Sequence, residues 1–570
     1  QSLREERPFI WSIEFAEIFF EKGGFDLIIG NPPYVRQEEI ADPNGLLGVN
    51  NYKAALKEMV LLDFPEYFAR AADRLHEFKK DREPSGRSDL YIYFYIRSLR
   101  LLNERGLHVF ICSNSWLDVG YGAWLQEFLL RGAVPHYVFD NHARRSFANA
   151  DINTVITVIG APGFAKAARK GANHYARFVA FKRPFEEVIL AEHLVALEMQ
   201  QSIELNDAYR IYPITVTDLL AEGSETEGEG IRATAKYVGD KWGGKYLRAP
   251  DIFFTILKKG HGRLIKLGKI ANVRFSIKTG SNEFFYLESL GPGVTPGTLR
   301  VRNSAGWQGE IEQEFLHPVI KSPRECRAIQ ITRQELKFHV FLCNRGRPEL
   351  RGTNALDYIK WGENATIEVR AGAAKGTIVR GYNNLSSVSN RKNWWDIGKH
   401  PIPSFAMVKG PWNRHFVVIN TAGAYCDQQL YAIESNSAED TLDLGLRTNS
   451  TLTALFFELE GRRNLGEGIL WLATYEVKNV RVLCVPLQVQ IDNSFLSRPV
   501  RDIFGECGID PKSDIPIAEQ EPAPLPDRKA LDDIVFDALG LDQEERKQVY
   551  RAVCQLVWER ISRAKSVTRN

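Results

Sequence analysis

Cysteine is sparse and unpatterned in this chain: seven residues, at 112, 326, 343, 426, 484, 507 and 554, an odd number with no C-x-x-C pair. That argues against a disulfide framework and against a zinc cluster, so no metal is expected and a reducing cytoplasm fits. No run of 18 apolar residues occurs, which removes the expectation of a membrane partner. No G-x-x-x-x-G-K-[ST] loop is present, so no P-loop nucleotidase is expected here. The one near match to an Asp…Glu-x-Lys nuclease constellation, Glu335-Leu336-Lys337, reads as chance. Charge of one sign is also lacking: a net +2 argues against non-specific coating of nucleic acid but leaves room for a local basic cleft. What remains is ordinary globular material, 44% hydrophobic and 25% charged, and 570 residues suffice for three or four domains.

Against those absences stands FDLIIGNPPY, Phe25 to Tyr34, where an apolar strand runs into an Asn-Pro-Pro-Tyr loop. Pro32 and Pro33 hold φ at about −65° and remove two backbone donors, which makes the loop stiff and leaves its carbonyls free to accept. Asn31 offers a side-chain carbonyl, Pro32 a backbone carbonyl, and Tyr34 a ring face on which a base taken out of a duplex could stack. This combination suits methylation of a nucleobase amine. Pro-Pro after a strand can also be only a rigid turn. The flanking Asn and aromatic, at the C-terminal edge of Leu27-Ile28-Ile29-Gly30, favour a site, because open α/β sheets bind ligands at that edge.

At these residues the chain resembles the gamma-class, or amino, N6-adenine DNA methyltransferases of restriction-modification and phage-defence systems, whether type IIG-like or BREX/DISARM-like. The resemblance continues in order. Asp89, Leu90, Tyr91, Ile92, Tyr93 and Phe94 open an apolar helical run to Leu102, and Gly106 is followed by LHVFICSNSWL with strand character. It implies that Asp89, Tyr91 and Phe94 lie beside the methyl donor, S-adenosylmethionine, as cofactor-binding residues; an ordinary amphipathic crossover helix would show the same pattern. Val138-Phe139-Asp140 then precede a polar loop, Arg144 to Phe147, and ADINTVITVIG, which alternates as a strand does. The resemblance implies that Phe147 and Tyr34 sandwich a flipped adenine, with stacking worth about 1–3 kcal/mol per base; the alternative tucks Phe147 under the sheet.

In the chemistry so implied, Asn31 and the Pro32 carbonyl accept from the amino group and stabilise the positive charge that develops on it. Holding the reacting atoms about 3 Å apart supplies much of the rate. Neither a metal nor a covalent enzyme intermediate is needed. Family members carry, upstream of this strand, a glycine-rich strand-to-helix turn for the cofactor and an acidic residue for its ribose. The stretch QSLREERPFIWSIEFAEIFFEKGG before Phe25 has no G-x-G turn. The expectation is therefore a C-terminal part of a larger protein, whose missing N-terminal half would carry most of the cofactor site and could carry a nuclease or translocase.

The fold expected is α/β: the second half of a class I, Rossmann-like methyltransferase domain over 1–165, a connector over 166–265, a mixed α/β DNA target-recognition domain over 266–490, and a Pro-rich tether with C-terminal helices over 491–570. AEGSETEGEGI at 221–231 reads as an exposed acidic loop. Basic and aromatic residues interleave at Arg380, Arg391, Lys392 and Trp394 and again at Lys409, Trp412 and Arg414, which are the expected contacts to double-stranded DNA. A mixed-charge solvated face is the plain alternative. IPIAEQEPAPLPDR at 515–528 reads as the tether, and Val549, Val553, Leu556, Val557 and Ile561 form one apolar stripe. Two functions fit: a site-specific adenine methyltransferase, or a DNA-recognition module that serves a defence complex, with other subunits, without methylating.

Overall fold

A computed structural model of the chain describes residues 9–68, 83–118, 120–141, 154–163, 174–189, 195, 197–227, 234–369, 376–436, 441–463, 468–487 and 493–567. The chain forms two compact units, Gln1–Phe254 and Thr255–Asn570. Both are mixed α/β, and the second holds more than one sheet.

The first unit is built on seven strands: β1 (Phe25–Gly30), β2 (Leu102–Ser113), β3 (Val134–Asn141), β4 (Thr154–Gly160), β5 (Tyr175–Phe181), β6 (Glu204–Leu205) and β7 (Tyr209–Thr215). They lie in the order β1-β2-β4-β3-β5-β7-β6. β1 pairs parallel with β2 and β3 with β5, while β4 runs antiparallel between β2 and β3. Helices α1 (Val49–Asp63), α2 (Leu90–Arg100) and α3 (Ala123–Gly132) accompany the sheet. In α2 the buried residues Tyr91, Ile92, Tyr95, Ile96 and Leu99 recur at helical spacing, and that stripe is what docks the helix.

β1 is the edge strand of this sheet among the described residues, and Leu27 and Ile29 are 50% and 71% exposed on it. Its last residue has to be glycine, because a Cβ on Gly30 would sit 2.6 Å from the Phe110 ring. The strand can therefore close on β2 and still turn out into Asn31.

Two expectations change here. Residues 175–215, placed in a connector by the sequence, supply β5, β6 and β7 of the same sheet. The 221–231 segment is not all loop: Ser224–Glu227 pairs antiparallel with Thr234–Tyr237, which gives its backbone groups partners that an acidic composition does not reveal.

In the second unit a five-stranded sheet orders Ala271–Phe275, Leu430–Ser435, Phe405–Val408, Val417–Asn420 and Gln330–Ile331. A six-stranded sheet orders Gln308–Glu312, Thr298–Asn303, Tyr286–Pro292, Phe338–Phe341, Leu316–Ile320 and Tyr425–Cys426. Helix α4 (Asn354–Asn364) packs Tyr358 and Ile359 into an aromatic core with Phe284, Phe341, Tyr382 and Trp394. Helix α5 (Thr451–Glu460), buried along its whole length, meets the two C-terminal helices α6 (Pro526–Leu539) and α7 (Gln543–Val567).

The C-terminal stripe is realised: Val549, Val553, Leu556 and Val557 are buried, with Ile561 partly so. The tether is not free. Ile517 is buried, the Leu525 amide donates to the Glu506 carbonyl, and Arg498 binds both Glu506 and Asp527. Prolines there set the path of a packed segment, with Pro526 at the first turn of α6.

Candidate active site

The parallel pairing of β1 with β2 places the Asn31–Tyr34 loop beside the C-terminal end of β2. Asn31 and Pro33 are exposed, Pro32 is buried and Tyr34 is half-buried. The Tyr34 hydroxyl donates to Asn31 Oδ1 at 2.7 Å and lies 3.1 Å from the carbonyl oxygen of Ile111 on β2. Burial, with the nearby Cys112 thiol, pushes the Tyr34 phenol up to about 12, so it stays protonated and able to donate across the ordinary pH range. A carbonyl oxygen has two lone pairs. Asn31 Oδ1 can thus hold the phenol and still accept from a substrate, with its amide orientation already set. No hydrogen bond reaches the Pro32 carbonyl among the described residues.

The downstream arm of the loop is tied to α2. The Leu90 amide donates to the Val35 carbonyl at 3.0 Å, and the Gln37 amide donates to Asp89 Oδ1 at 3.0 Å. Asp89 Oδ2 accepts from the Tyr121 hydroxyl at 3.0 Å, and Tyr121, Tyr91, Ser115 and Ser113 share a cluster of hydroxyl contacts of 2.6 to 3.3 Å. The structure therefore brings Asp89 and Tyr91 together beneath the loop, with their polar atoms bonded inside the chain. Phe94 stands apart, its ring 45% exposed. Phe147 lies outside the described residues. Tyr121, Ser113 and Ser115 went unnoticed in the sequence, where SNSWLDVGYG looks only like a polar turn after a strand.

The expected DNA contacts fall into separate places in the second unit. Arg391, Lys392 and Trp394 line a cleft of about 710 Å³ together with Asn344, Asn383 and Asn393. Lys392 is exposed on its rim, and the Arg391 guanidinium donates to the Thr279 carbonyl at 2.8 Å. Trp394 is a core residue and not a surface platform. It is 6% exposed, its ring centroid is 4.6 Å from that of Phe284, and its indole N–H donates to Glu363 at 2.9 Å. Arg380 is exposed and holds Asn364 at 3.1 Å. Lys409 is half-buried between the rings of Phe275 and Tyr431, at 4.6 and 4.8 Å, and that burial lowers its pKa. Trp412 is 48% exposed, and Arg414 rests over Phe416. The three asparagines of the cleft carried no signal in the sequence, since lone amides there have no period.

Two family models match the chain: the Eco57I restriction-modification methylase over residues 1–147, and the C-terminal domain of the type II methyltransferase M.Eco57I over residues 353–503. Two separate segments of the chain thus resemble domains of restriction-modification methylases. The chain is 30% identical over 125 residues to the type II methyltransferase M.BstVI of Geobacillus stearothermophilus, covering 22% of this chain and 17% of the relative. It is 32% identical over 146 residues to M.XhoI of Xanthomonas vasicola, covering 25% and 21%. The matched part of this chain thus spans about a fifth of the length of those relatives. Among solved structures, the type IIG restriction endonuclease BpuSI aligns with a TM-score of 0.37 at 13% identity, covering 95% of this chain and 54% of that one. Superposition that loose transfers no residue roles. Among the described residues no helix is long and apolar enough to cross a membrane.

Proposed function

We propose that this chain acts in site-specific transfer of a methyl group to the exocyclic N6 amine of an adenine flipped out of double-stranded DNA, within a restriction-modification or phage-defence system. The observation that carries the reading is the loop after β1: an exposed Asn31 carbonyl oriented by Tyr34, next to a Pro32 carbonyl that accepts no hydrogen bond among the described residues. Two fixed acceptors bonded to the amino hydrogens localise the nitrogen lone pair, and they then stabilise the charge that develops on that nitrogen. Both sit on a stiff, hydrogen-bonded loop and need no rearrangement as the reaction proceeds. Tyr34 offers its ring as one stacking face, and Phe147 is proposed for the other.

S-adenosylmethionine is proposed as the donor of an electrophilic methyl group. The residues present fit part of such a ligand. Phe94 offers an open ring, whereas the carboxylate of Asp89 and the hydroxyl of Tyr91 are already bonded within the chain, so we assign these two to holding the loop. β1 is an open parallel edge among the described residues, with Leu27 and Ile29 exposed on it. By the same reading the sheet is part of a Rossmann-like domain, and the second unit recognises DNA through Arg380, Arg391, Lys392, Lys409, Trp412 and Arg414.

The test is to incubate the full-length protein with tritiated S-adenosylmethionine and mixed-sequence duplex DNA, then digest to nucleosides. Label eluting as N6-methyladenosine in its deoxy form is the expected result. Label on cytosine overturns the adenine assignment, and duplex binding without any transfer favours a recognition module. For the second unit, Lys392→Ala is expected to weaken duplex binding equally across sequences and to reduce the slope of log K against log salt by about 1, as one lost phosphate contact does. An unchanged slope in a salt titration by fluorescence anisotropy would remove Lys392 from the interface.

A further inference from the structure

We infer that Tyr121 is a positioning residue for the Asn31–Tyr34 loop, acting through Asp89, and that the hydroxyl cluster it joins fastens the downstream arm of the loop to the end of β2. The inference rests on the functional reading above and adds to it a residue that neither the motif nor the family match assigns.

The loop is held on both arms, and the Leu90 amide adds a bond to the Val35 carbonyl between them. Upstream, the Tyr34 hydroxyl reaches the Ile111 carbonyl of β2. Downstream, Gln37 is three residues past Tyr34, and its amide is held by Asp89 Oδ1. A carboxylate at the start of a helix has rotational freedom unless its second oxygen is also engaged. Here Oδ2 accepts from Tyr121, whose oxygen is 2.6 Å from Ser115 Oγ, and Ser115 in turn is 3.0 Å from Ser113 Oγ. Ser113 is the last residue of β2 and pairs with Thr154 of β4. A continuous path of hydrogen bonds therefore runs from the Gln37 amide to the sheet, and both arms of the loop end on the same strand.

Tyr121 itself is placed rigidly. It sits in a tight turn, Gly120–Gly122, that closes on the neighbouring turn Ser115–Leu117, and a Cβ on Gly122 would lie 1.9 Å from the Trp116 carbonyl oxygen. Only glycine lets the two turns approach so closely. Tyr91 adds a second hydroxyl, 3.1 Å from Ser115 and 3.3 Å from Tyr121. The phenol is protonated throughout the working range, because burial pushes its pKa up. It therefore acts as a donor to Asp89 at all ordinary pH values. None of these groups lies on the loop, yet together they fix where Asn31 and Pro32 point, which is what a site built on preorganised carbonyls requires.

Tyr121→Phe removes the hydroxyl and keeps the ring. The expected result is faster hydrogen exchange at the Gln37 amide, read by mass spectrometry on the segment spanning residues 35–40, and, in the full-length protein, a fall in kcat of about 10-fold with KM for DNA and for S-adenosylmethionine changed by less than about 2-fold. The thermal midpoint stays put, because the ring still fills its place. Tyr93→Phe is the control: it changes a phenol on α2 that makes no hydrogen bond among the described residues, and it should leave both readouts at wild type. Exchange at the wild-type rate in Tyr121→Phe overturns the inference, as does a raised KM for S-adenosylmethionine with kcat intact, which would make the cluster part of the cofactor site. A wild-type protein that transfers no methyl group overturns the functional reading, and the exchange rate alone then decides for or against the brace.

Discussion

Replacing Asn31 with alanine is expected to lower kcat for methyl transfer about 10²–10³-fold while leaving duplex binding and the thermal midpoint near wild type. The size follows from what the side chain supplies. In the proposed reading its carbonyl is one of two acceptors for the amine, and removal of one preorganised electrostatic partner in other enzymes costs that much. The effect stops there because the Pro32 carbonyl is a backbone group that the substitution leaves in place. Stability is spared because Asn31 is exposed and its Oδ1 is bonded to the Tyr34 hydroxyl alone among the described residues, and that hydroxyl keeps the Ile111 carbonyl as an alternative. The measurement is single-turnover transfer of tritiated methyl by the full-length protein beside anisotropy on the same duplex. A variant that transfers at a tenth of the wild-type rate or better would show that Asn31 only shapes the loop. Loss of duplex binding in step with transfer would make it a recognition residue.

The loop was legible because its chemistry is contiguous: an acceptor, two prolines and a ring in four consecutive positions, after a strand whose apolar run is itself readable. The C-terminal stripe was legible for a related reason, since Val549, Val553 and Val557 repeat at the period of the helix they form. What could not be read depends on side chains that meet across the chain. Asp89 and Tyr121 are 32 positions apart, and their bond has no period or composition to announce it. Trp394 was misread because it follows Arg391 and Lys392, and a basic-aromatic cluster in sequence looks the same whether the ring faces water or Phe284. The same limit hid β5 to β7. Their strands are ordinary alternating segments, and only pairing with β3 shows that they extend the first sheet. Asp532 on α6 and Arg560 on α7 are buried charged residues, and Thr451 and Glu458 on α5 supply their partners.

Arg560→Met is expected to destabilise the second unit by about 3–5 kcal/mol near neutral pH, the usual cost of stranding a buried charge. Glu458 is fully buried, with His415 Nε2 2.7 Å from Oε1 and the Arg560 guanidinium at 2.5 Å from Oε1 and 3.1 Å from Oε2. Burial by itself would raise the carboxyl, but the hydrogen bonds and charges of His415 and Arg560 outweigh it and hold Glu458 at about 2. A carboxylate depressed in this way stabilises the fold above its ordinary value of 4.5, and that contribution is lost as pH falls from 4.5 toward about 2. With Arg560 gone burial dominates, the carboxyl rises, and protonation relieves it, so the deficit of the variant is largest near neutrality and narrows on acidification. Glu458→Gln in the Arg560→Met background should recover part of the loss, because it removes the stranded charge. Denaturant unfolding at several pH values reads all three, and a deficit that does not vary with pH would mean that Arg560 acts by packing alone. The consequence reaches the surface. Arg560 also donates to the carbonyls of Trp412, at 2.7 Å, and Gly468. It thereby fixes the turn that presents Lys409, Trp412 and Arg414, so the same substitution is expected to weaken duplex binding even at temperatures where the unit remains folded.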